Sequence, residues 1–410
     1  MHHSNLAIYG GEPVRDTFLI FGNPLLEEDE IDEVVATLRS GWISSGPRVA
    51  RFQEDFARYV GAPHAVALSS CSAALHLALL AAGLKPGDEV ITTPMTFCAT
   101  ANAIIHSGAT PVFADCDRWT GNLLPAEIRR KITPRTRAIV PVHFAGRLCD
   151  MPAIMEIARE HKLIVIEDCA HAIETTLHGR HAGTFGDFGC FSFYVTKNVV
   201  TGEGGMVVAR READADRIKI LGLHGMSRDA WKRYSDEGYK HYQVTMPGFK
   251  YNMMDLQAAL GLRQLEKVEK HWLRRQAVWE RYNQAFAGLP CFTPPPAEPG
   301  TRHAHHLYTL LLDLPRLDTT RDDVLAALTK ENIGVGVHYL ALHTHPYYAE
   351  TYGLQPDDFP NAQFISDRTL SLPFSAKLTD ADVADVIAAV QKVLGACRIK
   401  DCSPAAAVNS

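Results

Sequence analysis

Short apolar runs alternate with longer amphipathic stretches through the first half of the chain. Residues 64–69, 89–92, 110–114, 138–142, 163–167 and 189–194 are rich in Val, Ile, Leu, Ala and Phe, as strands buried on both faces are. Between them, 73–82, 99–107 and 151–160 read as helices. That βαβ rhythm predicts an α/β fold around a parallel sheet, and 204–209 predicts one more strand. From about residue 254 to 286, Leu256, Leu260, Leu262, Leu265, Val268 and Trp272 recur at near-helical spacing, which predicts a long helix bridging two domains. Leu289-Pro290 and Pro294-Pro295-Pro296 then interrupt the chain. A second α+β pattern, through 307–312, 321–331 and 380–394, predicts a smaller C-terminal domain. The expected organisation is an N-terminal arm (1–24), a large domain (25–265), a linking helix with a small domain (266–400) and a disordered tail (401–410) with nothing to bury.

Composition narrows the partners. The chain has 410 residues, of which 46% are hydrophobic, enough for two ordinary cores. A formal net charge of −6 excludes the broad basic face that nucleic acid or a membrane surface requires, so any anionic ligand has to be held by local groups. No apolar run approaches the roughly 20 residues of a membrane span, and Met1-His2-His3-Ser4 carries no signal-peptide pattern. The expectation is a soluble, cytoplasmic protein. Nine cysteines occur without a Cys-x-x-Cys pair, so reduced core thiols are expected.

The chemistry concentrates on one predicted sheet edge. Lys197 follows the apolar run Phe191-Ser192-Phe193-Tyr194 and precedes Gly202-Glu203-Gly204-Gly205. A partly desolvated lysine can lose its proton and join an aldehyde cofactor. Asp168 falls at the carboxyl end of the 163–167 run, where ligands of open α/β sheets bind. There it can keep the ring nitrogen of pyridoxal 5′-phosphate (PLP) protonated. The turn Ser69-Ser70-Cys71-Ser72 opens a helix and can offer backbone N–H groups to a phosphate, with hydroxyls at Ser70 and Ser72; ordinary N-capping explains it equally well. Phe97 can stack on the cofactor ring or belong to the core. His171 can orient the Asp168 carboxylate or contact the ring. Taken singly, Lys197 also suits a solvated loop, and the glycines suit a tight turn. The glycine spacing fits neither a Walker A loop nor a dinucleotide fingerprint. The mixture of cations and aromatics through 227–242 suits a diphosphate and a base or sugar face, or a solvated loop. His303, His305 and His306 lack the neighbouring Cys or carboxylate pattern of a metal site, and no metal is expected.

Four motifs together resemble the DegT/DnrJ/EryC1/StrS sugar aminotransferases. They are Ser69-Ser70-Cys71-Ser72-Ala73-Ala74-Leu75, Glu167-Asp168-Cys169-Ala170-His171-Ala172, Ser192-x4-Lys197-x4-Gly202-Glu203-Gly204-Gly205, and Gly248-Phe249-Lys250-Tyr251-Asn252-Met253-Met254-Asp255. The likeness runs from Gly41-Trp42-Ile43 to Leu370-Ser371-Leu372-Pro373. The resemblance implies an aspartate-aminotransferase-like fold (type I), with the large domain holding PLP. It also implies a homodimer with each active site at the subunit boundary. Lys197 would be the Schiff-base lysine and proton carrier, Asp168 the ring-nitrogen partner, Ser192 a phosphate ligand and Phe97 the stacking ring. Asn252 would reach across to the partner's phosphate. The family usually has Gly-Thr or Ala-Thr where this chain has Cys71-Ser72, which keeps a hydroxyl and the backbone donors. Relatives with histidine in place of the lysine catalyse dehydration, so Lys197 argues for amino transfer. The implied substrates are L-glutamate and a nucleotide-linked keto-sugar. Lys250-Tyr251-Asn252 resembles the branch aminating C4, including UDP-4-amino-4-deoxyarabinose synthesis, and His338, like Trp42 and Lys250, a substrate-facing position there. The alternatives are a C3-directed aminotransferase and a PLP-binding regulatory protein that does not turn over.

Overall fold

The computed structural model describes residues 4–227 and 242–399. The cation-aromatic segment falls mostly on 228–241 and the expected tail on 401–410, both outside the described residues. The strands in chain order are β1 (His64–Leu68), β2 (Glu89–Thr92), β3 (Thr110–Phe113), β4 (Thr136–Ile139), β5 (Ile164–Asp168), β6 (Thr176–Leu177), β7 (Arg180–His181), β8 (Phe188–Ser192), β9 (Gly205–Ala209), β10 (Cys291–Phe292), β11 (Thr301–Arg302), β12 (Tyr308–Leu312) and β13 (Thr369–Leu372). Seven form the central sheet in the order β1-β9-β8-β5-β4-β2-β3. Only β9 runs against the others, pairing antiparallel with both β1 and β8. The carboxyl ends of β1, β2, β4, β5 and β8 therefore share one edge, and the loop from β8 to β9 crosses it.

The strands are buried throughout where helices cover both faces: Val90, Ile91, Val165, Ile166, Val207 and Phe191 are each 0% exposed. The helix Cys71–Ala81 is all but completely buried, with Ala74, Leu77, Ala78 and Leu79 against the sheet. β4 starts and ends earlier than the predicted 138–142, because Pro141 has no N–H to continue the ladder. Val140 still donates to Ile91 O.

The predicted long helix is continuous over Asp255–Phe286. Its first half packs Ala258, Leu262, Leu265 and Val268 into the large core. Its second half gives Val278, Trp279, Tyr282 and Phe286 to a separate core around β12, β13 and the helix Asp380–Ala396. Leu6 lies in that same core, and Leu19 pairs with Ile333, so residues from the chain's start are bound to the small sheet. No described helix is long and apolar enough to cross a membrane. Of the eight cysteines described, six are buried and all are free thiols.

Candidate active site

Period-2 alternation assigns separate tasks to the adjacent acids at the end of β5. Glu167 is fully buried and saturated, accepting from Gly183 N (2.8 Å) and Gly186 N (2.7 Å) and meeting His143 Nε2 at 2.9 Å. Asp168 points to the other face, 4% exposed. Thr100 Oγ1 donates to its Oδ2 at 2.8 Å, and Ala170 N donates to its Oδ1 at 3.1 Å. Burial pushes the Asp168 carboxyl above its ordinary value, against the pull of those bonds and of Lys197.

Thr100 was not among the sequence candidates, and it holds the carboxylate, which is one of the two roles left open for His171. Thr96 and Thr100 join at 2.8 Å, so Thr96-x-x-x-Thr100 forms a hydroxyl pair at the start of the helix Cys98–His106. Its sequence signal is the i,i+4 spacing of two threonines just beyond a strand. His171 cannot orient Asp168, because both of its ring nitrogens are engaged elsewhere. Ala145 N donates to Nδ1 at 3.2 Å, and Nε2 meets the Tyr339 hydroxyl at 3.1 Å. A backbone N–H can only donate, so the proton sits on Nε2. Burial and the nearby Lys197 charge hold this imidazole well below its usual pKa.

Lys197 lies in the loop after β8, half-buried, with its own N–H donating to Tyr194 O at 2.8 Å. Burial pulls its pKa down to about 8, opposed by Cys71 and Asp168. An expected result follows. Covalent capture of PLP by the apoprotein should rise about tenfold between pH 7 and 9 and then level off, since the free amine is nearly fully formed one unit above its pKa. A capture rate still climbing towards pH 10.5, followed by absorbance, would show an unperturbed lysine.

The helix start Ser70–Ala73 faces the same edge. Ser70 Oγ caps the helix by accepting from Ala73 N at 3.1 Å, so the capping explanation holds for that oxygen, whose own proton stays free to donate. Cys71 is buried and its thiol is pushed well up by burial, while Ser72 is exposed. Gly205, paired with both Ser192 and Leu68, passes so close that a Cβ there would collide with the Ser70 carbonyl and Cys71 N. Ser192 is thereby brought beside the helix start. Its Oγ accepts from Tyr194 N at 3.4 Å. Phe97 is 58% exposed and tilted against Tyr339 with centroids 6.1 Å apart, which rules out a core role.

The remaining candidates divide between two places. His338 Nδ1 meets Ser371 Oγ at 2.8 Å and the ring stacks on Phe21 at 5.6 Å. Burial, with Lys197 nearby, holds it at about 4. Trp42 and Asn252 instead line an apolar groove of about 410 Å³ with Val49, Val66 and Leu68, and Lys250 is exposed two residues from Asn252. Asn252 Nδ2 donates to Ser45 Oγ at 2.7 Å, and its Oδ1 is buried with no partner among the described residues. His303, His305 and His306 do not converge as ligands: His303 Nδ1 accepts from His305 N, and His306 Nδ1 meets Asn198 Oδ1. A larger cavity, about 490 Å³ around Arg58, Arg180 and Arg210, contains none of the candidate residues.

An amine whose proton is loosened by burial, a buried acid held by two donors, and a helix start cleared by a glycine meet the separate demands of an aldehyde, a ring nitrogen and a phosphate. These residues fit PLP, and the fold that carries them is that of the fold type I PLP-dependent enzymes. The chain belongs to the DegT/DnrJ/EryC1/StrS aminotransferase family, whose model matches residues 24–391. Its relatives include the spore coat polysaccharide biosynthesis protein SpsC of Bacillus subtilis (strain 168). That protein is 51% identical over 381 residues, covering 93% of this chain and 98% of SpsC. Among solved structures, the PMP form of the putative sugar aminotransferase Spr1654 from Streptococcus pneumoniae superposes with a TM-score of 0.87 at 31% identity, covering 92% of this chain and 99% of Spr1654. DesI, solved in the presence of its TDP-sugar product, gives 0.83 at 31% identity, covering 96% and 98%. The protein is a PLP-dependent sugar aminotransferase.

Proposed function

We propose that this enzyme moves an amino group from L-glutamate to C4 of a nucleotide-linked 4-keto-sugar in the cytoplasm, for glycan or secondary-metabolite synthesis. The observation that carries the amino-transfer chemistry is Lys197 at a pKa of about 8 beside the buried Asp168. When bound, PLP supplies an electron sink that lets an amino acid lose its α-proton. In this reading Lys197 would hold the cofactor by its aldehyde, and its amine, freed when an amino donor takes that place, would accept the proton from the donor's Cα and, in the second half-reaction, give a proton to the carbon of the acceptor. Asp168, fixed by Thr100 and Ala170, would keep the ring nitrogen protonated. Backbone N–H groups at Cys71 and Ser72, with the hydroxyls of Ser70, Ser72 and Ser192, would receive the phosphate, and Phe97 would stack on the ring.

One orphaned polar atom supports a homodimer with shared sites. Asn252 Oδ1, beside the Trp42 groove, is buried and lacks a partner among the described residues. Buried polar atoms are rarely left so, and a second copy seated on the groove would supply one and bring Asn252, Trp42 and Lys250 to its own cofactor. The C4 assignment rests on the resemblance of Lys250-Tyr251-Asn252, and a nucleotide-linked acceptor matches the TDP-sugar of DesI.

The test is the visible spectrum with PLP, before and after L-glutamate alone, followed by 4-keto and 3-keto nucleotide sugars in turn. Conversion to the pyridoxamine form by glutamate and discharge by the 4-keto sugar are expected. Discharge by the 3-keto sugar alone would move the assignment to C3. Retained cofactor with no response to any amino donor would mark a regulatory protein.

A further inference from the structure

The residue after the lysine is held more tightly than the lysine itself. Asn198 Nδ2 donates to Glu174 Oε2 at 2.8 Å and to the Ala304 carbonyl at 3.1 Å, and its Oδ1 lies 3.0 Å from His306 Nδ1. A carboxylate and a carbonyl can only accept, so the amide has one possible orientation and His306 must carry its proton on Nδ1. Each partner is anchored in turn. Glu174 is 0% exposed and ion-paired with Arg275, itself 3% exposed, on the long helix Asp255–Phe286. Ala304 N donates back to Gly146 O at 3.0 Å. The His306 ring lies 4.4 Å from that of His171. One side chain thus joins the lysine loop to the end of the large sheet, to the helix shared by both domains, and to the segment that enters β12.

We propose that Asn198 is a positioning residue that fixes the reach of Lys197, tying the lysine loop to both domains through these three hydrogen bonds. The inference rests on the amino-transfer reading of Lys197. The lysine has to release its covalent partner, carry a proton and return to the same atom in each half-reaction, so its Cα needs an anchor that does not depend on the side chain's own bonding. Tyr194 O, accepting from Lys197 N, supplies the other anchor. Misplacement by about 1 Å is enough to cost on the order of 10²-fold in rate. The charged and titratable groups facing Lys197 are Asp168, Cys71, His171, His306 and His338. Loosening the loop changes the lysine's exposure to all of them and to water.

The test compares wild type, Asn198→Ala and His306→Phe as full-length enzymes, PLP-loaded for turnover and as apoproteins for PLP capture. Wild type must first respond to an amino donor, L-glutamate or another; if none is accepted, the amino-transfer reading fails and the proposal falls with it. Given that response, N198A is expected to lose about 10²-fold in kcat with KM for both substrates within about threefold of wild type. The pH midpoint for covalent capture of PLP at Lys197 should rise, because water reaches the amine. H306F keeps a ring against His171 but cannot donate to Oδ1, and should shift kcat and the midpoint in the same direction by a smaller factor. An N198A enzyme with wild-type kcat and midpoint overturns the proposal. So does a loss of kcat no larger than the loss of folded protein in a thermal melt. If N198A does not fold, H306F decides: an unchanged kcat and midpoint overturn the proposal, and a shift in both sustains it.

Discussion

Replacing Lys197 with alanine is expected to reduce kcat for amino transfer by at least about 10⁴-fold, since in the proposed mechanism one side chain supplies both the covalent link and the proton shuttle. The fold should survive. Lys197 is half-buried, makes no side-chain hydrogen bond among the described interactions, and anchors its loop through its backbone. Stability should even improve at neutral pH. Burial lowers the lysine's pKa from 10.5 to about 8, so below pH 8 the folded protein binds a proton less tightly than the unfolded chain does. K197A removes that penalty. Its advantage in apoprotein Tm should be full below pH 8 and fade as pH rises towards 10.5. Thermal melts at pH 7 and pH 10, with single-turnover spectra in glutamate, check both statements. A K197A enzyme within tenfold of wild type would remove the lysine from the mechanism.

Asp168→Asn is expected to lower kcat by about 10²- to 10³-fold while PLP is still bound. The amide fills the same volume between Thr100 and Ala170, so the damage is electrostatic and not steric. A neutral group cannot hold a proton on the ring nitrogen, and without it the ring draws electrons poorly. Equilibrium titration with PLP should show retention within about tenfold, because the substitution leaves the proposed phosphate site at Ser70–Ser72 untouched. Unimpaired kcat in D168N would place the ring nitrogen elsewhere, and complete loss of PLP would make Asp168 a binding group before a catalytic one.

The central sheet was legible because its strands are nearly uniform in apolar residues and its helices are punctuated by small polar turns. β2 matches its expected range, and the long helix begins one residue from the predicted start. The helices Glu28–Ser40 and Pro47–Val60 lie outside the predicted elements, although Val49, Phe52, Phe56 and Val60 carry a helical stripe that is fully packed in the large core. The two-residue strands β6, β7, β10 and β11 are too short to leave any periodicity.

In the site, Lys197, Asp168 and the Ser70–Ser72 turn were legible because each follows a strand directly, where chain order and spatial order agree. Thr100, Asn198 and His306 were not. The carboxylate partner of Thr100 lies 68 residues away, the partners of Asn198 24 to 108 and that of His306 108; only the Thr96-x-x-x-Thr100 spacing leaves a local trace, and by itself it does not set a hydrogen-bonded pair apart from a solvated one. Phe97 shows the converse: its sequence context made a core residue the commoner explanation, and its exposure excludes that.

The helix Asp255–Phe286 is about 48 Å of uninterrupted backbone. One end is fastened to the 46–49 loop by Asp255, which accepts from Gly46 N and Val49 N, and the other is buried in the small core. A common axle of this kind ties the two cores to one continuous element. In the function proposed above, a small amino acid and a bulky sugar nucleotide would be received in turn by that shared frame, and the fitting would fall to the short segments at its rim. Divergence in acceptor sugar can proceed by exchanging those segments while the frame is inherited intact.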